Sequence, residues 1–328
     1  GADIVKFQTF KASKLVTANV KQADYQLANT NKRESQLAML SRLELSHEFH
    51  YELVKYCNKF DIEFLSTAFD SESLNFLVND LKLQKLKISS GDLTNAPFLL
   101  EHARTGCNLI ISSGMSTLAE IEMALGVIAF GYVRKKTDTP SIQAFEKAYC
   151  SDIGQKMLKD KVTILHCTTE YPAPVKDINL KAMKTLNNAF KISVGYSDHS
   201  AGIHIPIAAA ALGAQVIEKH FTLDKNMQGP DHKASLEPEE LAEMVKGIRD
   251  IELSLGNGLK APRPSESKNK IVARKSLVAA KPIKIGDIYS SDNLTIKRPG
   301  NGSSPFLYWE LLGKEALSNH DEGEVILV

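Results

Sequence analysis

The stretch KISVGYSDHS (residues 191–200) ends by presenting Ser197, Asp198 and His199, and VIEKHF (216–221) ends by presenting Glu218 and His220. In an extended chain alternate side chains share a face, so Ser197 and His199 point one way, as do Glu218 and His220. If the two stretches are adjacent strands, about 5 Å apart, both imidazoles enter one mouth. Two neutral imidazoles in a polar cup suit a metal ion. With only two obvious protein ligands the remaining positions fall to water or substrate, which favours an exchangeable divalent ion over a closed structural zinc. Such an ion acts as a Lewis acid on a substrate oxygen.

A second set of residues is cationic and hydroxylic. In DIVKFQT (3–9) Ile4, Lys6 and Gln8 share a face; Lys87 is followed by Ser89 and Ser90, and Ser112 and Ser113 close a further apolar run. An inward-facing lysine is costly unless it meets an anion. Two of them among hydroxyls suit a phosphate together with a carboxylate. HCTTEYPAP (166–174) carries Thr168, Thr169, Glu170 and Tyr171 into a loop fixed by two prolines, and GPDH (229–232) places Asp231 where it could accept from a sugar hydroxyl. Cys167 reads as a small buried strand residue before it reads as a nucleophile.

These residues fall at the ends of short β-rich runs at 3–9, 62–68, 85–90, 108–113, 162–167, 191–196 and 215–221, separated by helical patterns. The alternation predicts βα units around a parallel sheet, whose strand C-termini converge on one active-site mouth when it closes into a (β/α)8 TIM barrel. A closed barrel needs eight strands and seven are counted, so one βα unit before Gly1 is expected to be absent from this chain; an open sheet is the alternative. In PEELAEMVKGIRDIEL, after the last strand, Leu241, Met244, Val245 and Ile248 share one helix face, and Pro238 with two glutamates starts the helix. The barrel is expected over 1–255. The Gly-, Pro- and Lys-rich stretch 256–270 reads as a linker, and 271–328 as a small β-rich module.

At 328 residues, 43% hydrophobic and 24% charged, the chain can bury a core in each part. Net charge is +1, with no basic run of the kind that neutralises nucleic-acid phosphates. No apolar stretch reaches the roughly 20 residues of a membrane span. Charge and hydropathy thus make neither nucleic acid nor membrane an expected partner, and four scattered cysteines without a CxxC pair predict reduced thiols in a cytoplasmic protein.

The motifs VKFQTF, KISSGDLTNAPFL, ISSGMSTLAEI, HCTTEYPAP, GYSDHSAG, VIEKHFTLD, GPDHKASLEP and KRPGNGSSP, in that order over nearly the whole chain, resemble the bacterial sialic acid (N-acetylneuraminate) synthases. The resemblance implies a TIM barrel joined to an antifreeze-like (SAF) domain in a domain-swapped homodimer. It also implies condensation of phosphoenolpyruvate with N-acetylmannosamine, with C–O cleavage and a divalent metal, Mn2+ before Mg2+ or Co2+. Carried over by motif, Lys6, Lys87, Ser90, Ser112 and Ser197 would hold phosphoenolpyruvate and His199 and His220 the metal, with Lys6, Lys87, His199 and His220 as the catalytic set. Gln8, Tyr171 and Asp231 would line the sugar site, and Arg298 would reach the acetamido group. Asp92 stands where some members have Glu, and Thr169 where some have Asn, so both belong to the substrate set and leave the sugar open. A legionaminic or pseudaminic acid synthase is the near alternative. A non-catalytic glycan-binding protein and a Schiff-base aldolase are the distant ones. The family's N-terminal strand, with its glutamate and Asn-His motif, is not in this chain.

Overall fold

A computed structural model describes residues 1–30 and 33–328. Seven parallel strands form one sheet in chain order: β1 (Ile4–Thr9), β2 (Glu63–Ala68), β3 (Lys85–Ile88), β4 (Asn108–Ser112), β5 (Val162–Cys167), β6 (Ser193–Asp198) and β7 (Ile217–Lys219). In a flat sheet the outermost strands would lie roughly 29 Å apart, six spacings of about 4.8 Å. Instead the Lys6 ammonium of β1 lies 2.6 Å from the Glu218 carboxylate of β7. The sheet therefore curls until its two ends face each other, and the open-sheet alternative is discarded.

Local sequence explains where the helices between strands begin. Thr117 and Glu120 cap each other's backbone at the start of Leu118–Val133. The hydroxyls of Ser46, Ser141 and Ser151 accept backbone amides at the starts of His47–Lys59, Ile142–Tyr149 and Asp152–Lys161. The outward faces of the strands, including Leu86, Ile88, Leu109, Ile111, Ile164 and Val194, pack against helical Leu99, Leu125, Ile128 and Phe130 in the main core. On the helix Pro238–Leu255, Met244 and Ile248 are buried and Leu241 packs beside them.

Inside the curl a smaller apolar layer is made by Leu65, Ile110 and Leu165, with Ile4 and Val216 against it. Two residues further along each strand, on the same face, stand Thr67, Ser112, Cys167, Lys6 and Glu218. The strands thus carry an apolar floor beneath a polar layer, set by period-two alternation. Gly195 of β6 occupies the floor: a Cβ there would sit 2.4 Å from the Val216 carbonyl and 2.6 Å from Leu165.

Two strand ends differ from the sequence expectation. Lys191 takes a left-handed conformation (φ 55°) that caps the helix Lys181–Phe190, so β6 starts at Ser193. β7 stops at Lys219 because Phe221 turns to bridge Leu236. A second compact unit covers Asn257–Val328, the first being Gly1–Gly256. It contains the antiparallel pair β8 (Ser276–Ala279) and β9 (Leu294–Lys297) around Leu277, Ala279, Ile283, Tyr289, Leu294, Leu311, Ala316 and Ile326. The stretch 256–270 is not wholly extended, since it includes the turn Pro264–Glu266 and the start of the helix Ser267–Ala273. Among the described residues no helix is long and apolar enough to cross a membrane. All four cysteines are free.

Candidate active site

The polar layer converges on Glu218. Its carboxylate lies 2.6 Å from Lys6 Nζ and 3.9 Å from Lys87 Nζ, and accepts the Ser197 hydroxyl at 2.7 Å. Lys87, only 3% exposed, donates to the Ser112 hydroxyl at 2.6 Å and to the Ile88 carbonyl at 3.0 Å. Burial pulls the Lys87 ammonium down to about 8, against the opposing pull of Glu218. Burial works against the Glu218 carboxylate too, yet Lys6 and Lys87 hold it well below the usual carboxylate range. Two ammonium groups and one carboxylate leave one net positive charge in an enclosed cup, a setting that favours an anion.

Glu218 was not among the site residues expected from sequence. Its shared parity with His220 was visible, but its neighbours lie across the barrel on β1 and β3, and no local pattern reveals them.

Beside the cup, the Gly114 amide donates to Ser90 Oγ at 3.0 Å. A Cβ on Gly114 would sit 2.8 Å from that oxygen and 2.3 Å from Thr169 Oγ1. Thr169 Oγ1 is buried and has no hydrogen-bond partner among the described residues, as expected of a group left for a ligand. Cys167 lies 3.8 Å from both Ser90 Oγ and His199 Nδ1, and burial pushes its thiol up, away from a thiolate nucleophile.

The histidines form the other wall. His199 and His220 have ring centres 5.4 Å apart, and Tyr171 lies 4.0 Å from His199 and 5.4 Å from His220. His199 Nδ1 hydrogen-bonds the Thr168 carbonyl at 2.7 Å, so Nδ1 carries the proton and Nε2 keeps its lone pair. Burial lowers both imidazoles and keeps them neutral. His220 Nδ1 stands 3.6 Å from the Asp231 carboxylate. These donors fit a divalent ion held through two imidazoles. Among the described residues no group of three or more His, Cys, Asp or Glu is arranged to hold one.

Tyr25 and Asn29, which sequence reasoning passed over, close this side. The Tyr25 ring lies 5.1 Å from Tyr171, and burial together with Asp231 pushes its phenol up to about 12. Asn29 donates to the Pro230 carbonyl at 2.6 Å. Gln8 is exposed at the end of β1. Asp92 makes local bonds, accepting from Ser89 at 2.8 Å and Asn95 at 3.4 Å, and meets none of the lysines or histidines. Arg298 belongs to the second unit, where it is exposed.

Against this geometry the comparisons are decisive. The NeuB family model matches residues 1–260, and a SAF domain model matches residues 274–327. The chain belongs to the NeuB family. An N,N'-diacetyllegionaminic acid synthase of Campylobacter jejuni is 51% identical over 326 residues, 99% of this chain and 90% of that protein. One from Legionella pneumophila is 41% identical over 327 residues, 100% of this chain and 85% of that protein. The crystal structure of an N-acetylneuraminic acid synthetase from Leptospira borgpetersenii, in complex with citrate, superposes with a TM-score of 0.64 at 31% identity, covering 82% of this chain and 79% of that one. This NeuB chain therefore has the barrel and SAF domains its motifs implied.

Proposed function

We propose that this NeuB-family chain joins phosphoenolpyruvate to an N-acylated hexosamine carrying two acetamido groups, giving a diacetyllegionaminic-type nine-carbon acid and phosphate. The observation that carries this is the net-positive cup of Lys6, Lys87 and Glu218, with Ser197 bonded to it, lying beside the His199–His220 pair two residues further along the same two chain segments. The sugar follows from chemistry. Phosphoenolpyruvate contributes three carbons and no nitrogen, so both acylamido groups of a diacetylated product come from the hexosamine. The two diacetyllegionaminic acid synthases, at 51% and 41% identity, favour this sugar over the N-acetylmannosamine first expected, since the N-acetylneuraminate-type relatives stand lower, at 34% and 31%.

In this reading Lys6 and Lys87 neutralise the donor's phosphate and carboxylate while Ser90, Ser112 and Ser197 accept and donate around them. Tyr171 and Asp231 line the sugar side, with Asp231 accepting from a hydroxyl. His199 and His220 would hold a divalent ion, Mn2+ in our proposal, which when bound would supply Lewis acidity toward the sugar. The donor's methylene carbon forms the new C–C bond, water adds at C2, and the C2–O bond breaks to release inorganic phosphate.

Phosphate release from phosphoenolpyruvate, measured with a diacetamido-hexose and with N-acetylmannosamine, tests the proposal. The expected result is a kcat/KM at least about tenfold higher with the diacetamido sugar, about 1.4 kcal/mol of discrimination. Equal or reversed preference would reject the sugar assignment. Release with neither sugar would reject the synthase reading in favour of a binding protein.

A further inference from the structure

Two cross-strand pairs end β6 and β7 back to back. The register sets Ser197 opposite Glu218 and Asp198 opposite Lys219. Ser197 and Glu218 meet in the cup, and alternation sends Asp198 and Lys219 to the other face of the same strands. Their side chains are 0% and 1% exposed.

The Asp198 carboxylate is fully used. One oxygen accepts Lys219 Nζ at 2.6 Å; the other accepts the Tyr196 hydroxyl at 3.0 Å, the Ser200 amide at 3.0 Å and the Ser200 hydroxyl at 2.7 Å. Lys219 Nζ donates in turn to the Ser200 carbonyl. The network therefore holds the backbone on both sides of His199 and the residue immediately before His220. His199 is pinned further by its own carbonyl, which accepts the Ala173 amide at 2.9 Å.

A buried ion pair is poor evidence for stability, because desolvation offsets its Coulomb gain and neutral replacements of similar size are often tolerated. What this pair adds is position. We propose that Asp198 and Lys219 form a positioning pair, outside the site itself, that fixes the separation and orientation of His199 and His220. The inference rests on the proposed reaction only for its catalytic consequence; the geometric claim stands without it.

The test uses Asp198→Asn/Lys219→Met, which removes both charges while an amide oxygen remains to accept from Tyr196 and Ser200. Three quantities are measured: the thermal midpoint, the imidazole 15N shifts of His199 and His220, and steady-state kinetics. The expected result is a midpoint within a few degrees of wild type, displaced 15N shifts for both rings, and kcat reduced by about tenfold to a hundredfold. KM for phosphoenolpyruvate should change by less than kcat does, since Lys6 and Lys87 sit on β1 and β3 and Ser197 is the only donor-binding residue carried by β6. Titration with Mn2+ alone should show about tenfold weaker binding than wild type. Unmoved ring shifts with unchanged kcat would overturn the proposal. If the double variant does not fold, Lys219→Arg, which keeps both charges but changes the length and geometry of the pair, carries the test: wild-type ring shifts with wild-type kcat there would also overturn it. If wild-type protein releases no phosphate at all, the proposed reaction fails, whereas the ring shifts still decide the positioning claim.

Discussion

Lys87 ties donor binding to pH. Burial lowers it from 10.5 to about 8, so between those values the unfolded chain holds a proton that the folded chain has released. Its contribution to stability is therefore present above about 10.5 and lost as the pH falls toward 8. Donor binding needs the ammonium form and runs the other way: kcat/KM for phosphoenolpyruvate should fall with unit slope above about pH 8, and Lys87→Met should remove that limb. A flat profile to pH 9.5 would contradict the assignment. At the same scale, Lys6→Ala and Lys87→Ala should each weaken the donor by about 1.5 to 3 kcal/mol and leave the sugar's KM nearly unchanged, as separate titrations would show. Parity along single strands was enough to pick out Lys6, Lys87, Ser112, Ser197 and both histidines as neighbours. It could not supply Glu218 as the shared counter-ion, because that role exists only once β7 curls round to β1. Nor could it find Tyr25 and Asn29, whose partners lie in loops after β5 and β7.

Among the elements, β6 and β7 matter most, since they carry Ser197 and Glu218 and end immediately before His199 and His220. Their close approach depends on Gly195, where an added Cβ would overlap the Val216 carbonyl and Leu165. Gly195→Ala should destabilise the barrel by about 1 to 3 kcal/mol, read from the denaturant midpoint, and should lower kcat by displacing β7. A wild-type midpoint and wild-type kcat would show that β7 does not need this contact. All seven strands were legible because each alternates or runs apolar over a few residues between capped helices. Their ends were less legible. Lys191 looks like a strand residue and instead closes a helix, and the β7 run continues apolar past the point where Phe221 leaves to bridge Leu236.

At the scale of the whole molecule, two units each bury their own apolar residues. Calorimetry on the full chain should resolve two transitions. Leu277→Ala, which empties part of the small unit's core, should destabilise one of them by about 2 to 5 kcal/mol and leave the other in place. A single transition that moves as one would contradict this independence. The two-part organisation was readable from the Gly-, Pro- and Lys-rich stretch after Leu255, and the barrel from seven spaced strands. The sugar was not readable, since Asp92 and Thr169 name positions without naming what they face.

The central claim, that this chain makes a nine-carbon acid by C–O cleavage of phosphoenolpyruvate, is tested most directly by isotope position. Phosphoenolpyruvate labelled with 18O in the bridging C2–O position is incubated with the protein, Mn2+ and the diacetamido-hexose, and phosphate and product are weighed by mass spectrometry. The account predicts that the label leaves with inorganic phosphate and that the product carries both acetamido groups and an unlabelled C2 oxygen. Label retained in the nine-carbon product, or no phosphate formed, would contradict it.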